Sequence, residues 1–165
     1  MNMMQPRDDY ERHIIDCVDQ HGCFVASILG DEEMGLPPFT YSVGFTQSLG
    51  QPEVIICGLP IETGPVLIND LFALCRDGLD LDDGAPVDNL VSGFSCVARS
   101  VDESWLIQSW FASALWYHRN IGGKALARAV QIVWPDPQHL FPWDEGCAEW
   151  VRRDQPALYE PRLNP

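Results

Sequence analysis

The sequence predicts an α+β fold: one domain with a mainly antiparallel or mixed sheet of about five strands and two or three packed helices. Three observations predict it. From Phe39 to Phe45, Phe39, Tyr41, Val43 and Phe45 alternate with Thr40, Ser42 and Gly44, the period of a strand with one face on a core. Val54 to Cys57 is apolar at every position, as a central strand covered on both faces requires. Apolar residues recur at helical spacing before and after these strands, giving the order helix, three strands, helix, strand, helix, strand. Strands joined by short turns are expected as antiparallel neighbours, whereas the later two, each reached through a helix, are free to lie parallel or at a distance.

In order along the chain, Tyr10, Ile14 and Val18 recur every four positions and predict a helix over 8–21, stopped by Gly22. Cys23 to Leu29 is apolar and partly β-branched, a strand, and Gly30 to Pro38 is an acidic turn. After the strand of Phe39 to Phe45, Gln47 to Pro52 reads as a turn, and Val54 to Cys57 as a strand ended by Gly58 and Pro60. Glu62 or Thr63 begins a helix to Arg76 with Leu67, Leu71, Leu74 and Cys75 on one stripe and Gly78 near its end. Asp77 to Asn89 reads as a loop and Phe94 to Val101 as a strand. Ser104 is placed to cap an apolar helix through Tyr117, closed by Gly122 and Gly123. Ala129 to Trp134 is the last expected strand, broken by Pro135, after which prolines are too frequent for regular structure to run far.

The chain has 165 residues and 46% hydrophobic residues, enough for a single core burying roughly 70% of the unfolded surface. Residues 1–165 are therefore expected as one domain, with 1–7 and 146–165 extended or peripheral. No apolar run approaches the ~20 residues of a membrane span. The polar start, MNMMQPRDDYERH, lacks a signal peptide's apolar core, so the expected location is cytoplasmic. A net charge of −14, from 24 acidic against 10 basic residues, disfavours nucleic acid and anionic membrane as partners and leaves a basic protein partner open. Of the six cysteines, Cys57, Cys75 and Cys96 fall in apolar element interiors and read as small buried hydrophobes, and no CxxC pair points to zinc or redox chemistry.

No phosphate-binding glycine loop, nucleophile elbow or HExxH pair is present. On the first helix, His13, Cys17 and His21 stand at i, i+4 and i+8, a spacing that brings metal-ligating side chains together, although packing beside Tyr10, Ile14 and Val18 explains them equally. The acidic stretch Asp80, Asp82, Asp83, Gly84 lacks the ligand order of a calcium loop and reads as solvated turn. Arg119, Lys124 and Arg128 flank Gly122 and Gly123, a glycine turn with three cations suited to a small anion, or cations placed to balance a helix C-terminus. Tyr41, Glu53, His118, Asp136 and His139 border the aromatic segments, and a pocket uniting Tyr41, Glu53, His118, Trp134, Asp136 and Trp143 would have the groups for acid and base chemistry. Each also has a packing or capping explanation.

Several short blocks carry a resemblance: Tyr41 to Phe45, Pro52–Glu53, Gly58 to Pro60, Val133 to Asp136, and Phe141 to Trp143. Together, over about residues 20–145, the chain resembles the bacterial family of domain of unknown function DUF4262, whose pattern is an aromatic YTVGL strand, a PE pair, a strand ending GLP, then VWPD and FPW. Ser42 stands where Thr is usual, Gln51 where a His usually precedes the PE pair, and Pro137 and Gln138 where a Gly follows the Asp. The resemblance implies a fold and candidate positions but no reaction and no cofactor.

Two functions are expected from these readings. The first is a non-catalytic protein-binding or regulatory module, in one form an immunity-type protein masking a basic toxin. The alternative is a small-molecule or cofactor-dependent enzyme with a pocket roofed by the VWPD and FPW segments and an anionic group gripped by Arg119, Lys124 or Arg128.

Overall fold

The computed structural model describes residues 8–163. Its centre is a six-stranded mixed sheet in the order β1-β2-β3-β6-β5-β4. The strands are β1 (Phe24–Ile28), β2 (Phe39–Val43), β3 (Glu53–Cys57), β4 (Pro86–Val91), β5 (Phe94–Ser100) and β6 (Ala129–Val133), and the helices are α1 (Asp9–His21), α2 (Phe45–Leu49), α3 (Thr63–Arg76), α4 (Gln108–Asn120) and α5 (Glu149–Asp154). All neighbouring strands are antiparallel except β3 and β6, which run parallel at the centre. The expected α+β architecture is the one observed.

Helices cover both faces. One core joins α1 and α4 to the sheet through Ile14, Val18, Phe39, Tyr41, Val43, Ile55, Phe111, Ala114 and Tyr117. The other joins α3 and α5 through Leu67, Ile68, Leu71, Val151, Val54, Ile56 and Trp134. Every residue of β2, β3 and β6 is buried. This corrects the one-sided reading of β2: Thr40 and Ser42, its polar face, are 3% and 0% exposed, because α3 lies against that side. Each fully buried Leu, Ile or Phe in such a core contributes about 1.5–3 kcal/mol.

Local signals set most element ends. Asp8 accepts a hydrogen bond from the Glu11 amide to cap α1, and Gly22, at φ 92°, ends it with an N–H to the Val18 carbonyl. Gly44 turns the chain at φ 110°, and a Cβ there would fall 2.9 Å from the Gly22 carbonyl oxygen. The turn sends Phe45 out of the β2 alternation and into the opposite core, edge-on to Phe72 at 5.4 Å. The expected turn of Gln47 to Pro52 thus begins inside α2.

Other departures have similar causes. Asp77 to Asn89 hides the start of β4, whose Pro86, Asp88 and Asn89 are poor strand formers, with Asn89 at φ 63° and a register shift between Val87 and Val91; an edge strand tolerates this. Leu74 is 38% exposed while Ile68 is fully buried, so the α3 stripe is rotated from the expected one. Ser104 does not cap α4. It sits in a 3-10 turn, Glu103–Trp105, capped by Asp102, and α4 starts at Gln108. Of the segment expected as peripheral after 146, residues 147–158 are packed: Val151 and Leu158 are 0% exposed, and Gln155 exchanges two hydrogen bonds with the Trp134 backbone. Residues 1–7 lie outside the described residues. Among the described residues, no helix is long and apolar enough to cross a membrane.

The six cysteines are free thiols. Burial pushes Cys57 and Cys96 up to about 12, so both remain protonated across the physiological range. Native protein treated with iodoacetamide near neutral pH is therefore expected to label Cys17, the half-exposed thiol of α1, well before Cys57 or Cys96. Peptide mapping checks the order, and early labelling of Cys57 would show that β3 is not sealed.

Candidate functional site

Glu53, first residue of β3, is the one acidic residue among the described residues that is fully enclosed, at 0% exposure. Its carboxylate takes four donors. Oε1 accepts from the Ser42 hydroxyl at 2.7 Å and the Phe45 amide at 3.1 Å, and Oε2 from the Gly44 amide at 3.1 Å and His118 Nε2 at 2.6 Å. The Ser42 hydroxyl in turn accepts from the Val54 amide at 2.9 Å. The Gly44 and Phe45 amides open the first turn of α2, where N–H groups lack intrahelical acceptors and attract negative charge. No side chain of α2 or its cap supplies that acceptor. Glu53 does so from the strand that follows the helix. Because three donors already surround the carboxylate, the His118 nitrogen facing it is assigned as N–H. Nδ1 is then the only His118 nitrogen left for another group, and it makes no hydrogen bond among the described residues.

Tyr41 fixes how α4 presents His118. Phe111 breaks the helix at φ −137°, ψ 33°, which disturbs the ladder one turn along. The Ser113 amide donates to the Tyr41 hydroxyl at 2.9 Å, and burial raises the phenol's pKa. Tyr41 thus positions a kinked helix and does not reach Glu53 or His118 with its hydroxyl.

His118 borders a cavity of about 160 Å³ with Gln47, Gln51, Pro52, Lys124 and Arg128. Gln51 closes one wall: its Nε2 donates to the Leu79 carbonyl and to Asp80, and its Oε1 accepts from the Leu81 amide. Arg119 is elsewhere, on a separate groove between α1 and α4. Of the three predicted anion-binding cations, the structure brings Lys124 and Arg128 together and leaves Arg119 apart.

The aromatic block has different work. Trp134 Nε1 donates to the Cys57 carbonyl at 2.8 Å, and its ring packs on Trp150. Asp136, 1% exposed, folds the following loop by accepting from the Gln138, Leu140 and Ala148 amides, and these bonds, Leu140 foremost, hold its carboxyl below the usual range. Trp143 stacks on Phe141 at 5.1 Å, and Arg99 lies 4.9 Å from the Trp143 ring and 4.6 Å from Tyr159, fastening the C-terminal segment to β5. His139, at φ 68°, packs on Phe94. The six-residue pocket expected from Tyr41, Glu53, His118, Trp134, Asp136 and Trp143 is therefore represented by Glu53 and His118; Tyr41, Trp134 and Asp136 are buried in packed regions, and Trp143, 43% exposed, lies at the surface against Phe141 and Arg99. Of the metal candidates, His13 and Cys17 touch at 3.5 Å and His13 packs edge-on to Phe24, with His21 apart from both; among the described residues no group of three or more His, Cys, Asp or Glu is arranged to hold a metal ion.

Sequence reading undervalued the hairpin between β1 and β2. There Ile28, Leu29, Met34 and Leu36 are 40%, 77%, 71% and 46% exposed, interleaved with Asp31, Glu32 and Glu33. A two-way backbone bridge between Asp31 and Leu36 shapes the tip. Beside it runs a groove of about 470 Å³ bordered by Glu32, Leu36, Pro37, Pro38, Gly58 and Arg153. Solvent-facing apolar residues within an acidic turn were the available signal.

Comparison with protein families matches residues 17–148 to the family described as domain of unknown function DUF4262. The chain belongs to that family. No curated protein and no solved structure matches it. The DUF4262 blocks quoted above now have physical roles: Gly44 makes the turn that Glu53 caps, Gly58 at φ 85° admits the Asp154 carbonyl where a Cβ would sit 2.5 Å away, and Asp136 knots the loop after β6.

Two outcomes are expected. Replacing Glu53 with Ala strands the Ser42 hydroxyl, two amides and His118, and is expected to cost about 3–5 kcal/mol in urea unfolding; a cost of a few tenths would show the network to be incidental. Asp136 has a lowered folded-state pKa, so the stability it adds is present above the ordinary carboxylate range, about pH 4, and is lost as pH falls through its lower folded value. Asp136→Asn is expected to lower stability at neutral pH and flatten the acid limb of the stability curve, measured by denaturation from neutral to acid pH. An acid limb identical to wild type would contradict this.

Proposed function

We propose that the chain is a non-catalytic cytoplasmic module that binds a basic protein partner through the tip of the β1–β2 hairpin, as a regulator or an immunity-type protein does. The carrying observation is the pairing on one loop of Leu29 and Met34, 77% and 71% exposed, with Asp31, Glu32 and Glu33. Apolar side chains held in water and rimmed by carboxylates match an interface with an apolar centre and a charged rim. Leu29, Met34 and Leu36 supply apolar contact, and the carboxylates select and steer a cationic partner, aided by the overall charge of −14. The adjoining groove gives an arginine or lysine stem a place to lie beside Pro37 and Pro38.

The enzyme alternative draws its support from Glu53 and His118 alone. Its expected roof, the VWPD and FPW segments, is spent on packing the sheet and holding the C-terminal segment, which favours the binding reading.

The test is a pull-down from the native host at low salt, wild type against Glu32→Lys/Glu33→Lys. The expected result is a basic protein retained by wild type, released as salt rises and not retained by the charge-reversed variant. Recovery of no basic partner, or equal retention by the variant, contradicts the proposal.

A further inference from the structure

We propose that the cavity bordered by His118, Lys124 and Arg128 binds a phosphate-sized oxyanion, at a site separate from the β1–β2 tip. Three observations converge on it. His118 is 6% exposed yet borders the cavity, and with the Nε2 proton given to Glu53 only Nδ1 remains to meet a ligand, as an acceptor for the P–OH of a hydrogen phosphate. Lys124, the only lysine in the chain, and Arg128 border the same space, and among the described residues neither side chain makes an ion pair or a hydrogen bond. In a chain with 24 acidic and 10 basic residues, this cavity is lined by Lys124 and Arg128 and by no carboxylate, with Glu53 behind the imidazole.

Local structure builds this site. Glu53 fixes the imidazole from behind, as a carboxylate orients a ligating or proton-bearing histidine. The turn after α4 folds back through a bond from the Lys124 amide to the His118 carbonyl, bringing Lys124 over the ring's own residue. Arg128 is held beside β3, because its carbonyl accepts from the Glu53 amide. Gln51 is locked into the wall by its three bonds, and the Gln47 amide, which makes no hydrogen bond among the described residues, is available to the ligand.

Size narrows the ligand. A cavity of about 160 Å³ is below the range that encloses drug-sized molecules or cofactors, and suits an ion or the anionic end of a larger compound. Arg supplies a planar fork of donors for oxyanions and Lys a point charge, the pair used for phosphate. Inorganic phosphate and the terminus of a phosphate monoester share this chemistry.

The test titrates wild type with inorganic phosphate and, separately, with phenyl phosphate at constant ionic strength, following the His118 ring nitrogens by NMR. Saturable binding is expected, with the Nδ1 resonance shifting while the Nε2 resonance, held by Glu53, moves little. Tighter binding of phenyl phosphate identifies a monoester terminus, and equal or tighter binding of inorganic phosphate identifies the free ion. Lys124→Ala/Arg128→Ala, both exposed positions, is expected to weaken binding about tenfold or more, and Arg119→Ala, on the other groove, to leave it unchanged. Absence of saturable binding of both probes, or binding unaffected by the double variant, overturns the proposal.

Discussion

A single buried carboxylate ties the central elements together. Glu53 has no access to water, so its charge must be met by protein groups, and β2, α2 and α4 each bring donors to it. A buried carboxylate left short of one partner costs more than a typical hydrogen bond contributes, so these elements cannot be placed independently. The turn at Gly44, the short helix behind it, the start of β3 and the end of α4 are therefore one coupled arrangement.

The second constraint is that the sheet is covered on both faces. With β2, β3 and β6 wholly buried, polar groups on them need internal partners, and Tyr41, Ser42, Glu53 and Gln131 each have one. Gln131 on β6 bonds the backbone of Pro156 and Leu158, and Gln155 bonds that of Trp134, so the C-terminal segment is held by the sheet's own polar side chains. Among the described residues, no side-chain nitrogen or oxygen that is fully sealed from solvent lacks a partner. The Trp and Pro blocks close this interior and hold its last segment; their density reflects covering a sheet that has no wet face.

Much of this was legible in the sequence. The periodicity of Tyr10, Ile14 and Val18 located α1, the unbroken run of Val54 to Cys57 marked a strand with two covered faces, and the quoted blocks led to the family. What escaped was set by contacts distant in sequence. Thr40 and Ser42 look like a wet face until α3 is laid on them, and β4 is defined by its pairing with β5, since Pro86, Asp88 and Asn89 argue against a strand locally. In the site, Glu53 and His118 were both singled out by their borders with aromatic segments, but they are 65 residues apart, and nothing in spacing alone joins them while leaving Tyr41 and Asp136 out. Tyr41 was drawn away by the break at Phe111, a backbone feature without a proline or glycine to announce it.

The most direct test of the Glu53 arrangement is native-state hydrogen exchange at the Gly44 and Phe45 amides. At the start of a five-residue helix whose following residues are exposed, such amides ordinarily exchange through local fraying. If Glu53 holds them as described, they exchange only with global unfolding, as slowly as the Val54 amide inside the sheet. Exchange as fast as that of solvent-facing loop amides would contradict the account.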